Sequence, residues 1–279
     1  MNNRKITIVN NLIWYIIICV LAFIFVFPLL WIFSTALKTR DQLFVYPPVL
    51  IPKPVAWDNF KKAINAIPFL LYLKNTLIIV VFSLLGDIIS SSFVAYGFSR
   101  IDWPGRDILF LVLLGTMMIP YQVTLIPLFI VYRMIGWVNT FFPLTVPSFF
   151  ATAAFHVFLL RQFYHTIPKD LSDAAYIDGC SDLRIWWKII LPLAKPALVT
   201  VGIFNFINHW NDFLGPLIYL QEDKKYTLAI GLYAFRNEFG TDWNLMMAAA
   251  ILMVIPLVVL FLSAQKVFVS GITLTGLKG

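Results

Sequence analysis

Apolar side chains occur along this chain in long unbroken blocks rather than in alternation, and six of the blocks reach the roughly 20 residues a helix needs to cross the hydrocarbon of a bilayer. They are Leu12–Ala36, Asn75–Phe98, Ile108–Val131, Phe142–Leu160, Ala197–Leu220 and Leu245–Ala264. The third carries Pro120 and Pro127 and the fourth Pro143 and Pro147; in a membrane, proline can kink a helix without ending it. The pattern predicts an all-α polytopic membrane protein of six transmembrane helices, a single transmembrane domain over residues 1–279. The first block is preceded by Arg4 and Lys5 and followed by the small residues Ser34, Thr35 and Ala36, as a cleaved signal would be. Its apolar stretch, Leu12–Phe33, is longer than the roughly 7–15 residues of a signal core, so a retained span is expected.

Composition places the chain firmly in the membrane class: 60% of residues are hydrophobic and only 13% charged, and the mean hydropathy is +0.84. The net charge of +7 would suggest nucleic acid for a soluble domain, but in a membrane protein excess Lys and Arg mark segments held in the cytoplasm. Six spans put both termini on one face together with the connections 99–107 and 161–196. Lys and Arg number 11 on that face and 10 on the other, so the total does not orient the chain. Arg161, Lys169, Arg184, Lys188 and Lys195 all fall in the one connection between the fourth and fifth spans, which is therefore expected to be cytoplasmic, with both termini. Cys19 lies in an apolar run and Cys180 in a polar one, which does not support a disulfide.

On the opposite face, prolines at 47, 48, 52 and 54 precede Trp57, Phe60, Ile64 and Ile67 at helical spacing, predicting a short interfacial helix. The loop Gln221–Trp243 carries both charge signs with Tyr226, Tyr233, Phe235 and Phe239; it reads equally as a contact surface for an extracellular partner and as a solvated loop with aromatic anchors.

The segment DAAYIDGCSDLRIWWKIILP, Asp173–Pro192, interrupts the apolar blocks. Pro168 suits a helix start and Gly179 a helix stop, so Lys169–Asp178 reads as one short helix, and a second follows Ser181. In the first, Leu171, Ala174 and Ala175 share a face on which the two alanines allow close approach. In the second, Leu183, Trp186, Trp187 and Ile190 recur at i, i+3, i+4 and i+7, with Arg184 and Lys188 on another face. Such an apolar face is open to three readings: lying on the membrane surface, packing under the chain's own helices, or docking a separate soluble protein.

Asp173-Ala174-Ala175, three residues, Gly179, nine residues, then Ile189-x-Leu191-Pro192 resembles the EAA signature of bacterial ABC import permeases, EAA-x3-G-x9-I-x-L-P, with Asp in place of Glu. The stretches GTMMIPYQVTLIPLF from Gly115, NHWNDFLGPLIYL from Asn208 and GITLTGLKG from Gly271 resemble the carbohydrate-uptake branch of those binding-protein-dependent permeases, the branch similar to the maltose permease component. The resemblance runs over essentially the whole chain. It implies that the loop is a coupling helix seated on a cytoplasmic ATPase, with Asp173, Ala174, Ala175, Gly179, Leu183, Trp186, Trp187, Ile189, Leu191 and Pro192 as its coupling residues. It also implies a multi-pass location in the bacterial or archaeal cytoplasmic (inner) membrane, a homologous companion permease, two ATPase subunits that carry the ATP and Mg, an extracellular solute-binding protein and a sugar substrate. No cofactor is expected in this chain: Gly271–Lys278 comes near a P-loop but misplaces the lysine and leaves no chain for the following helix. His156, His165 and His209 lie on different segments, so no metal site is expected either.

Polar groups inside spans are costly and tend to face a bundle interior or a watery cavity. Asn205, Asn208, His209 and Asp212 fall at i, i+3, i+4 and i+7 of the fifth span beside Phe206, Trp210 and Phe213. Amide, imidazole and carboxylate groups beside aromatic rings suit a sugar, and Asn205, Asn208, His209, Trp210 and Asp212 are the candidate pathway residues; helix-to-helix hydrogen bonding is the competing reading. Ser83, Asp87, Ser90 and Ser91 repeat the pattern in the second span, where bonding between helices is favoured and Gly86 permits close packing. The functional expectation is a permease subunit for a di- or oligosaccharide, driven by ATP hydrolysis in a partner. The rivals are an ion-coupled secondary transporter using Asp87 and Asp212, and a permease for glycerol-3-phosphate or uronate oligosaccharides. A membrane-embedded enzyme has no nucleophile, base and metal constellation to support it.

Overall fold

A computed structural model of the chain describes residues 2–237 and 240–276. In order, its helices are α1 Asn2–Ala36, α2 Asp58–Ala66, α3 Phe69–Arg100, α4 Arg106–Thr116, α5 Tyr121–Met134, α6 Phe142–Thr145, α7 Ala154–Thr166, α8 Asp170–Ile177, α9 Asp182–Ile185, α10 Leu191–Leu193, α11 Lys195–Trp210, α12 Leu214–Tyr219, α13 Leu228–Tyr233 and α14 Trp243–Gly276. Between the last two, β1 (Arg236–Asn237) pairs antiparallel with β2 (Gly240–Thr241). Phe239, Leu277 and Lys278 of the sequence reading lie outside the described residues.

Four helical stretches are long and apolar enough to cross a membrane: Asn11–Ala36, Phe69–Arg100, Phe142–Thr166 and Trp243–Gln265. The expected third span is broken, and the helix that precedes the expected fifth is sharply bent from it. Arg106–Thr116 and Tyr121–Met134 meet at 96°, and Asp182–Leu193 meets Lys195–Trp210 at 81°. Counting each bent pair as one gives up to six candidate spans, although the second pair, 182–210, starts in the loop that precedes the expected fifth span, Ala197–Leu220. The fifth span does not continue to Leu220 as one helix: α11 stops at Trp210 and α12 begins at Leu214. A short helix, α2, is present where one was expected around Trp57–Ile67.

The chain divides into two compact units, residues 1–68 with 232–255 and residues 69–231 with 256–279. In the first, the Asn59 amide donates to the carbonyls of Ala36 and Lys38, both at 2.8 Å, and so closes the end of α1.

In the second unit, α3 packs against α7, α11 and the turn Val146–Phe150. The reason is written in its polar stripe. Pro143 and Pro147 lack amide hydrogens, which leaves carbonyls of the fourth span short of donors. Ser83 donates to the Leu144 carbonyl at 2.8 Å and Ser90 to that of Ser148 at 2.7 Å. The Ser83 hydroxyl thus supplies what Pro147 removes, the condition for tolerating it in a span, whereas Ser90 secures the end of the turn beyond both prolines and also accepts the Ala151 amide at 3.1 Å. Gly86 permits the approach: a Cβ there would lie 2.6 Å from the Phe149 ring. At the other end of α3 two arginines cap reciprocally. Arg161 of α7 donates to the Phe98 carbonyl at 3.1 Å, and Arg100 of α3 donates to those of Tyr164 and Ile167 at 2.5 and 2.6 Å. Each guanidinium satisfies the last carbonyls of the other helix and sits at the negative end of its dipole.

Candidate functional site: the 168–192 loop and the polar core of the spans

Helix α8 carries Asp170 and Asp173 in its first turn, where the helix dipole favours acids. It ends in a Schellman turn: the Cys180 amide donates to the Ala175 carbonyl at 2.9 Å and the Gly179 amide to that of Tyr176 at 3.0 Å. Gly179 has φ +76°, and a Cβ there would meet nothing within 4 Å. Glycine is demanded here by backbone conformation alone, not by crowding. Asp182 then starts the second helix and ties it to the first, accepting from the hydroxyl of Tyr176 and, at 3.2 Å, from that of Tyr96 on α3. The hydrogen bond to Asp182, followed by burial, raises the Tyr176 phenol above its ordinary value, so it remains a donor.

The expected single apolar face of the second helix is corrected by the structure. Residues Trp186–Ile190 form a π-helical turn, whose i to i+5 spacing breaks the 3.6-residue period. Ile185, Trp186 and Ile190 therefore point into the chain's own core, with Trp186 edge-on to Phe93 of α3 at 5.3 Å. Leu183 and Trp187 point outward, 59% and 62% exposed. The two alanines also separate: Ala175 is buried in the core cluster, whereas Ala174 is exposed. Asp173 and Gly179 are exposed, Ile189 and Leu191 are half-buried against the core, and Pro192 is exposed in α10. What remains outside is a surface of Leu171, Ala174, Ile177, Leu183 and Trp187, with Arg184 and Lys188 beside it.

The polar face of the fifth span also divides. Asn205 is buried and its amide donates to Asp87 at 3.0 Å. The Asp87 carboxylate, 1% exposed, also meets His156 Nδ1 at 2.5 Å and accepts from the Ser91 hydroxyl at 2.8 Å. An ionised carboxylate only accepts, so in that state Nδ1 carries the proton. One residue of α3 thus joins α7 and α11. His209 Nδ1 lies 3.0 Å from the Asn205 carbonyl, and buried Trp210 stacks on Phe206 at 5.3 Å. Asn208 is exposed. Asp212 falls beyond the end of α11, so it does not extend that helical face; its Oδ1 accepts the Gly215 amide at 3.0 Å and helps start α12. The sequence reading missed His156 as a partner of Asp87. Its only signal was an isolated ionisable residue inside an apolar block.

Residues 87–274 match the family described as binding-protein-dependent transport system inner membrane component. The chain is 34% identical over 262 residues to the arabinooligosaccharides transport system permease protein AraQ of Halalkalibacterium halodurans, covering 93% of each chain. It is 31% identical over 268 residues to the diacetylchitobiose uptake system permease protein DasC of Streptomyces coelicolor, covering 96% of this chain and 97% of that one. Among solved structures, a chain of a bacterial ABC transporter involved in the import of the acidic polysaccharide alginate aligns with a TM-score of 0.81 at 23% identity, over 92% of this chain and 96% of that one.

Proposed function

For a chain that belongs to the binding-protein-dependent transport system inner membrane components, we propose that its role is that of the permease subunit of an ATP-driven importer of a di- or oligosaccharide. In this reading residues 1–279 form one transmembrane domain that alternates access, with both termini and the 168–192 loop in the cytoplasm. A homologous companion permease completes the path, two ATPase subunits holding ATP and Mg bind the loop, and an extracellular solute-binding protein delivers the sugar.

The observation that carries the reading is the shape of the loop. Two short helices, locked by a Schellman turn and by Asp182, the second bent 81° from α11, leave Leu171, Ala174, Ile177, Leu183 and Trp187 uncovered. Their inner side, through Ile185, Trp186 and Ile190, is continuous with the core around α3 and α7. A force applied to the outer side is therefore passed to packed helices rather than absorbed by a flexible loop. The names of the relatives AraQ and DasC support an oligosaccharide as cargo. Ion coupling through Asp87 and Asp212 loses its motivation, because both carboxylates are engaged by groups of this chain. An anionic cargo such as glycerol-3-phosphate or a uronate oligosaccharide calls for cations along the path, and α11 carries none after Lys195 at its start.

Uptake of labelled arabino-oligosaccharide and diacetylchitobiose into proteoliposomes containing the full transporter tests the proposal. Uptake should require internal ATP and the binding protein. Uptake that ignores ATP and follows an imposed proton or sodium gradient would refute it.

A further inference from the structure

At the end of α1 lies a buried lysine with no anionic partner among the described residues. Lys38 is 2% exposed, and its ammonium lies over the Trp31 ring, 4.7 Å from the centroid. It forms no ion pair among the described residues, and Asp242 is taken by Arg40. The C-terminal end of a helix favours a cation, but it carries only about half an elementary charge, so most of the lysine's charge is uncompensated. Burial lowers the Lys38 pKa from its ordinary value, the response of a cation that lacks its counter-charge.

Lys38 lines a cavity of about 260 Å³ with Trp31, Thr35, Phe44, Trp243 and Met247. The Thr35 hydroxyl is buried there with no hydrogen-bond partner among the described residues. An unpaired cation and an unpaired hydroxyl in one cavity are complementary to a single anionic oxygen cluster. The volume lies below the roughly 300–1,000 Å³ of ordinary ligand pockets, which suits a headgroup and not an oligosaccharide. The apolar residues from Leu12 to Leu30 that lead to the cavity are exposed, as acyl chains would need. Trp31 and Trp243 supply the aromatic groups that settle at headgroup level.

We propose that this cavity is a binding site for an anionic phospholipid, its phosphate held by the Lys38 ammonium and the Thr35 hydroxyl and its glycerol region flanked by Trp31, Phe44 and Trp243. The site requires only that α1 spans the membrane; it is independent of the sugar and ATPase readings.

The test uses the assembled transporter, with companion permease, ATPases and this chain, in nanodiscs of phosphatidylglycerol mixed with phosphatidylcholine, followed by native mass spectrometry of retained lipid. The wild type should retain phosphatidylglycerol in preference to phosphatidylcholine. Lys38→Met, which keeps the apolar stem over Trp31, should lower that retention about fivefold or more, the effect of removing one interfacial cation. Lys38→Arg should keep it and Thr35→Val should weaken it less than Lys38→Met. Inorganic phosphate at equal concentration should not displace the lipid. Equal retention of the two lipids by the wild type, as when the companion permease fills the cavity, overturns the proposal. So does unchanged retention in Lys38→Met, and displacement by phosphate would make this a free-anion site instead.

Discussion

Replacing Asp87 by alanine removes the one acceptor shared by α3, α7 and α11, and the size of the effect follows from what it leaves behind. Two interhelical donors, His156 Nδ1 at 2.5 Å and Asn205 Nδ2 at 3.0 Å, and one intrahelical donor, Ser91 at 2.8 Å, lose their partner. In a water-soluble core, breaking such a buried group would cost about 3–5 kcal/mol. Within a bilayer the unfolded helices find other partners, and an interhelical hydrogen bond averages about 0.6 and reaches at most about 1.7 kcal/mol. The bilayer scale applies to these helices, so two such bonds put the loss at about 1–3 kcal/mol. At about 2–4 °C per kcal/mol the unfolding temperature of the reconstituted complex should fall by about 2–12 °C. Asp87→Asn, which keeps one acceptor oxygen, should fall less. His156→Ala should reproduce part of the loss, and the double mutant should show a coupling of about 0.6–1.7 kcal/mol. Additivity of Asp87→Ala and His156→Ala within about 0.3 kcal/mol would refute the inference that this contact joins the helices.

The other predictions concern the loop, the span and the outer face. Gly179→Ala should destabilise the α8 turn by about 1–2 kcal/mol, the price of a left-handed residue with a Cβ. Gly179→Pro, which also loses the amide bonded to Tyr176, should abolish uptake while the protein still reaches the membrane; normal uptake by that mutant would remove the coupling role. Ala174→Arg should lose ATPase on co-purification with normal membrane amounts, whereas Ala175→Arg, at a position 6% exposed, should lower the membrane amount itself. Retention of ATPase and wild-type uptake by Ala174→Arg would count against docking. Asn208→Ala should alter substrate-stimulated ATP hydrolysis without releasing the ATPase, and unchanged hydrolysis and uptake would exclude Asn208 from the pathway. Hydrogen bonds from Asn139 and Lys225 lower the Glu222 carboxyl from its ordinary 4.5. Its link to Asn139 is therefore fully present above that value and is lost only as pH falls through the lowered one. Hydrogen exchange over residues 219–226 should stay slow down to that point and then speed up, and Glu222→Gln should flatten the response.

Signals confined to a few neighbouring residues were legible in the sequence. Pro168 and Gly179 fixed the limits of α8 to within a residue or so, because a helix start and a left-handed stop each depend on local backbone chemistry. Four of the apolar blocks coincide with helices long and apolar enough to cross a membrane, because length and hydropathy are summed over contiguous residues. The outward face of the second loop helix was not legible: a π turn shifts the register without changing composition, so Trp186 turns inward and Trp187 outward although both suited the 3.6-residue pattern. Nor was the Asp87 cluster, whose partners lie 69 and 118 residues away. The break after Trp210 had its signal in Asp212, Gly215 and Pro216, but the apolar run on either side masked it.

These failures share a physical origin that bears on how polar residues in spans should be read. A polar side chain inside a membrane must find a partner, but the partner need not be cargo. Ser83 serves a carbonyl that Pro147 deprives of its donor, Ser90 serves the end of the following turn, the Asn205 amide serves Asp87, and Asp212 serves the amide that begins a new helix. The periodic polar stripe on α11 thus mixes structural groups with Asn208, which is exposed and makes no hydrogen bond among the described residues. Periodicity places residues on one face, whereas exposure together with unused hydrogen-bonding capacity identifies those free to bind something that passes. By those criteria Asn208 remains the pathway candidate on α11, whereas Asn205, buried with its Oδ1 unpartnered among the described residues, acts through the packing that connects α11 to α3 and α7.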